Sequence, residues 1–309
     1  MILRTTKFAH ETKRFGAFSR VNNFEHRKGL LLTSLGVAAI IPDATFVRLV
    51  DAPSMTNAMW RTGLLGLSLT AFLLGRYKKE LPVIITSLGS WGVVSSILSG
   101  SGTILFVVAV DRAPVSNVLL ILALSPFWAA LWTWAVARVI VARRTLLAMP
   151  FALIGVAIAV GGNSGGLLND GNVFALCCSL GFSANLTIIR MNKHLDMLPT
   201  AAFGGFLGCA VLALAGTSAA LSLRDLALLL LLGLIILPTA MALITLGGRL
   251  LPSPETALLI LGETALSPLL AAWVVGESIS GRAITGGLIV LGVLVVHATL
   301  GLREISAAR

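Results

Sequence analysis

Three residues carry charge well inside largely apolar stretches. Glu263 lies in LLILGETALSPLL (258–270), Asp43 in IIPDATFVRLV (40–50) and Arg61 in MWRTGLLGLSL (59–69). Low dielectric favours the neutral form of a carboxylate, so Glu263 is a candidate proton carrier or a contact for a substrate ammonium. The alternative is a protonated or hydrogen-bonded structural residue. Asp43 and Arg61 are of opposite sign and suit either an ion pair fixing two helices or a joint grip on a zwitterion. Beside them, Trp60 is a candidate cavity residue, and Asn117 and Asn185 could hydrogen-bond a solute or another helix.

Composition supplies the medium these residues sit in. Of 309 residues, 57% are hydrophobic and 12% charged, about half the charge of a soluble domain. Mean hydropathy is +0.95. So much apolar surface calls for lipid as solvent. Apolar runs long enough to span a bilayer fall near 29–50, 54–75, 85–110, 114–136, 146–162, 172–191, 199–217, 225–247, 254–276 and 282–301. These ten runs lack strand alternation, which excludes a barrel. The expected fold is an all-α membrane protein of ten transmembrane helices. The basic tail 1–28 precedes a first run too long for a cleaved leader and followed by many more, so that run is expected to stay in the membrane.

The net charge of +10 is placed as topology rather than as a nucleic-acid surface. With the N-terminus inside, 18 Lys and Arg fall in inner segments, among them Arg14, Lys28, Lys78, Arg143 and Arg249. Only three, Arg112, Arg224 and Arg282, fall in outer loops. Both termini are therefore expected to be cytoplasmic, with a C-terminal tail at 302–309. On this topology Asp43 and Arg61 lie at a similar depth, about 10–12 Å from the outer face on adjacent antiparallel helices. Glu263 lies about 13 Å into the ninth helix, close to the midplane. Arg48 is near enough to the outer end to snorkel. Glu255 suits the first turn of the ninth helix, Glu277 lies near a helix end, and His297 sits near the inner end of the tenth.

The two halves resemble one another. VLLILALSPFWAALW (118–132) pairs with LLILGETALSPLLAAW (258–273), and ALIGVAIAV (152–160) with IVLGVLVVH (289–297). The repeat unit is five helices, covering 29–162 and 163–301. An odd number inverts the second copy, the arrangement of many secondary transporters. Pro126 and Pro268 correspond, each as a packing kink or a hinge. Gly92, Ser96 and Gly100 form a small-residue stripe suited to close helix approach. The three cysteines, Cys177, Cys178 and Cys209, lie in apolar runs and read as small apolar residues rather than a disulfide or metal set.

With these residues in place, the chain resembles the drug/metabolite transporter superfamily, EamA type, over nearly all of 29–301. IIPDATFVRLV is similar to the family's first-helix signature and MWRTGLLGLSL to its second helix, with Arg61 at a recurring arginine. APVSNVLLILALSPFWAALWTW (113–134) is similar to the end of the first repeat. ETALLILGETALSPLLAAWVVGESIS (255–280) is similar to its counterpart, with Glu263 and Glu277 at recurring acidic positions. Pro42-Asp43 departs from the small polar pair common there and bears on substrate preference. The resemblance implies a cell-membrane transporter, in a bacterial inner membrane, that exports a small polar metabolite such as an amino acid.

No Walker loop, H-E-x-x-H or G-x-S-x-G is present, so neither nucleotide-driven pumping nor the corresponding hydrolases are expected, and no cofactor is implied. Coupling would come from protons, exchange or a downhill substrate. The expected function is secondary transport, with Asp43, Trp60, Arg61, Asn117 and Glu263 at the substrate. The alternative is a lipid-carrier flippase on the same scaffold, which would show a lateral apolar opening and a basic headgroup site.

Overall fold

The computed structural model describes residues 23–138, 143–160, 169–192, 195–248, 250–251 and 253–307. Among these, every regular element is helical. Six helical segments are long and apolar enough to cross a membrane, and four shorter apolar helices lie at Thr145–Val160, Leu198–Leu214, Gly262–Val275 and Gly281–His297.

The first long segment is broken. Helix α1 (Asn23–Ile40) stops and α2 (Asp43–Leu49) restarts. Proline has no N–H, so Pro42 cannot continue the bonding ladder of α1. Its carbonyl instead accepts from the Phe46 N–H at 2.9 Å and starts the next helix. Asp43 therefore opens a half-helix, a feature the single run 29–50 does not announce. Discontinuous helices survive in lipid only where protein or a cavity covers the freed backbone groups.

Helix α3 (Ser54–Tyr77) is followed by a 3₁₀ turn and α4 (Leu81–Ser87). Gly89, at φ +55°, turns the chain into α5 (Gly89–Arg112). The next apolar run is also interrupted, as α6 (Val115–Leu122) and α7 (Ser125–Ala137), with Pro126 in the first turn of α7. Then come α8 (Arg143–Val160), α9 (Asp170–Met191) and α10 (Leu198–Leu214). Helix α11 (Leu223–Leu230) continues through a π-helical turn, Leu231–Ile236, into α12 (Leu237–Gly248). Pro238 removes one donor from this ladder, and the wider turn accommodates the loss. Helices α13 (Ser253–Val275) and α14 (Gly281–Ala307) complete the order. Pro268 is absorbed within a continuous α13, so the corresponding prolines of the two halves behave differently.

The packing pairs form a pattern. Helix α5 packs on α9 as α12 packs on α1; α3 packs on α10, and α8 on α14. The interrupted α6/α7 lies against α9 as α13 lies against α1 and α2, while α6 and α13 also meet each other. Small residues permit these approaches. A Cβ on Gly100 would stand 2.3 Å from the Gly204 carbonyl oxygen, so α5 and α10 touch backbone to backbone. Gly286 against the Gly155 carbonyl, at 2.3 Å, does the same for α14 and α8.

The outward surface is apolar, as a lipid-facing surface must be: Leu147, Phe151, Trp273 and Leu288 are all exposed. Part of the polar minority points inward. Ser95 donates to Asn185 Oδ1 at 2.6 Å and lies 2.9 Å from Thr200 Oγ1, joining α5, α9 and α10. This assigns Asn185 to helix association.

Candidate functional site

The break at Pro42 brings Asp43 against Arg61. Two guanidinium nitrogens of Arg61 donate to the two carboxylate oxygens of Asp43, Nη2 to Oδ2 at 2.8 Å and Nη1 to Oδ1. Asp43 is 5% and Arg61 6% exposed, so the pair lies deep in the protein. The fork geometry is bidentate, the strongest form of the contact. Phe106 of α5 lies under the guanidinium, with Cζ 5.0 Å from the ring centroid. That contact covers one face of the cation. Arg61 Nε is buried without an acceptor among the described residues.

Glu263 approaches from α13, in the other half of the chain. It is half-buried and lies within electrostatic reach of both Asp43 and Arg61. No hydrogen bond from its carboxyl is found among the described residues. Cys178 of α9 feels the Arg61 charge as well and donates to the Gly102 carbonyl at 3.2 Å. The centre thus holds two carboxylates, one guanidinium and an aromatic face, drawn from four helices and from both halves.

Two sequence candidates lie elsewhere. Trp60 donates from Nε1 to the Ala219 carbonyl at 3.1 Å and packs beside Val50, Leu64 and Leu229. It tethers the segment after α10. Asn117 lies in α6, 1% exposed, at the wall of a separate polar chamber of about 320 Å³. That chamber also contains Arg48 and Glu277.

Arg48 is committed to backbone carbonyls. Its Nη2 donates to the Ala113 carbonyl at 2.8 Å and its Nη1 to that of Asp111 at 3.2 Å, closing the C-terminal end of α5. Its Nε stands 3.6 Å from Glu277 Oε2. Glu277 Oε1 accepts from the Val115 N–H at 2.7 Å. Burial pushes the Glu277 carboxyl above its ordinary 4.5, against the opposing pull of Arg48 and of the Val115 N–H. Sequence reasoning treated Arg48 and Glu277 separately, as helix-end residues. The signal available was that both lie near helix ends and carry opposite charge.

Of the other residues singled out, His297 packs on Phe127 with ring centroids 5.9 Å apart. Cys178 is buried, Cys209 partly so and Cys177 exposed on the apolar surface; all three are free thiols. The Glu255 side chain and the basic tail before residue 23 lie outside the described residues.

No protein-family model matches the chain, and no curated protein matches it significantly. Ten solved chains match by fold. One, described only as "Crystal structure of protein", superposes with a TM-score of 0.56 at 19% identity, over 91% of this chain and 97% of that one. At that identity the likeness concerns the fold alone.

Proposed function

We propose that the protein is a secondary transporter of the drug/metabolite transporter type that moves a small zwitterionic metabolite, such as an amino acid, outward across the cell membrane. In this reading ten helices cross the bilayer as two inverted five-helix repeats, with both termini cytoplasmic. The packing pattern supports it: shifting each crossing by five places exchanges α5–α9 with α12–α1 and returns α3–α10 and α8–α14 to themselves. A pseudo-twofold axis in the membrane plane has that property.

The observation that carries the functional reading is the buried Asp43–Arg61 pair on a broken helix, with Glu263, on the helix packed against that break, within electrostatic reach of it. A substrate carboxylate takes the unused Nε of Arg61, and the substrate ammonium takes Glu263. Asp43 holds the guanidinium oriented in both states. Glu263 alternates between a proton and the substrate ammonium, so binding and proton release are linked. Rocking of one half against the other then exposes the same residues to either side.

The test is transport in proteoliposomes loaded with a mixture of the protein L-amino acids. Wild type is expected to release some of the set faster than empty liposomes, and Glu263→Gln to lose that release while remaining folded. Equal release by Glu263→Gln with an unchanged pH dependence would remove Glu263 from the mechanism.

A further inference from the structure

The chamber around Asn117 is distinct from the Asp43–Arg61–Glu263 centre. It sits where α2 and α5 end, where α6 and α9 begin and where the α13–α14 connection passes. These are the ends nearest Arg112 and Arg282, the outer side by the distribution of positive charge. Arg48 follows Asp43 by five residues, so the chamber lies about 7–8 Å farther out along α2.

Its polar atoms are unevenly satisfied. The Nη groups of Arg48 and Oε1 of Glu277 are committed to backbone groups. Arg48 Nε and Glu277 Oε2 have no hydrogen-bond partner among the described residues, although they face each other at 3.6 Å. Asn117 is 1% exposed, yet both its Oδ1 and its Nδ2 lack partners among the described residues. A buried amide left without hydrogen bonds is destabilising, and native proteins rarely keep one without a reason. Among the chamber's buried side-chain atoms, those left without a partner include two donors, Arg48 Nε and Asn117 Nδ2, and two acceptors, Glu277 Oε2 and Asn117 Oδ1, all four closed to water while Arg48 and Glu277 face each other. The charges balance. The chamber's volume, about 320 Å³, is at the small end of ligand sites.

We propose that this chamber is a second solute site, an outer staging position for a small molecule bearing both an ammonium and a carboxylate. The ammonium donates to Glu277 Oε2 and Asn117 Oδ1. The carboxylate accepts from Asn117 Nδ2 and Arg48 Nε. The solute enters between Arg48 and Glu277 and replaces their mutual contact. The class of solute rests on the transporter reading; the existence of the site rests on Asn117, Arg48 and Glu277.

The test places a reporter thiol at Ser278, an exposed chamber residue, in a background where Cys177, Cys178 and Cys209 are alanine. The protein is held in lipid nanodiscs, and Ser278→Cys is labelled with a polar maleimide. The probe is an equimolar millimolar mixture of the protein L-amino acids, with propionate and propylamine as half-molecules. The amino-acid mixture is expected to slow labelling, and neither half-molecule to do so alone. Adding Asn117→Ala, in protein with unchanged thermal melting, is expected to raise the half-protecting concentration about tenfold or more. The charge swap Asp43→Arg with Arg61→Asp is expected to leave protection intact. Unslowed labelling would overturn the proposal, as would equal protection by a half-molecule or protection that survives Asn117→Ala. Loss of protection in the swap would show one site rather than two. Protection that persists in a protein that moves no amino acid would overturn the transport reading while leaving this site standing.

Discussion

Removing one partner of the Asp43–Arg61 pair is expected to be far more damaging than removing both. Both side chains are 7% exposed, and two guanidinium nitrogens are committed to one carboxylate. Asp43→Asn leaves Arg61 as an uncompensated charge in a site that water scarcely reaches. Breaking such a pair costs about 3–5 kcal/mol. Arg61→Gln leaves the Asp43 carboxylate in the same position, with a similar loss. In the double variant both charges are gone, and most of the penalty goes with them. With two single losses of about 3–5 kcal/mol and a much smaller double loss, the expected coupling is about 5 kcal/mol or more, above the range usual for residues in contact because each single variant strands a buried charge. Reversible unfolding in mixed dodecylmaltoside and SDS micelles, followed by far-ultraviolet circular dichroism, gives the four free energies. Additive losses would refute the reasoning, because they would mean that each charge is solvated independently. The swap Asp43→Arg with Arg61→Asp adds a second discrimination. It is expected to keep much of the stability, because the pair is retained, and to abolish transport, because the substrate then meets the charges in reverse order. Transport by the swapped protein would assign the pair to structure alone.

Other substitutions separate packing from function. Gly100→Leu drives a side chain into the Gly204 carbonyl and is expected to destabilise by about 1–3 kcal/mol, whereas Gly102→Ala, which meets nothing within 4 Å, is expected to be neutral; thermal melting of the two variants compares them. Trp60→Phe removes the bond to the Ala219 carbonyl and is expected to cost about 1 kcal/mol in the same micelle unfolding, with transport per folded molecule unchanged. Glu277 carries a pH signature. Its carboxyl titrates above its ordinary 4.5 in the folded protein, so it binds a proton more tightly there than when unfolded. The stability it contributes is complete below about 4.5 and is lost as pH rises through the folded value. The melting temperature of wild type relative to Glu277→Gln is therefore expected to fall across that rise, and a difference that grows instead would reverse the assigned cause.

How much of this was legible in the sequence differs from residue to residue. Counting rise along two antiparallel helices was enough to put Asp43 and Arg61 at one depth, and the structure joins them. The small-residue stripe foretold the approach at Gly100, although the partner, Gly204, lies more than a hundred residues away and no local pattern names it. The break at Pro42 was hidden because an apolar run reads as one span whether or not its ladder is interrupted. The two Ser-Pro sites read alike, yet Pro126 divides its helix and Pro268 does not. Neighbouring helices decide whether freed backbone groups are covered, and that information is tertiary. The same holds for the chamber at Asn117, where Arg48, Asn117 and Glu277 meet only after three distant segments converge.

The central claim is that the protein moves a small polar metabolite through the Asp43–Arg61–Glu263 centre. The most direct measurement compares intracellular and medium metabolites of cells expressing wild type with those of cells expressing Glu263→Gln, both verified in the membrane at equal amounts. The account expects a set of zwitterionic metabolites to accumulate in the medium with wild type only. Identical profiles from the two proteins would contradict it and turn attention to lipid-linked substrates on the same scaffold.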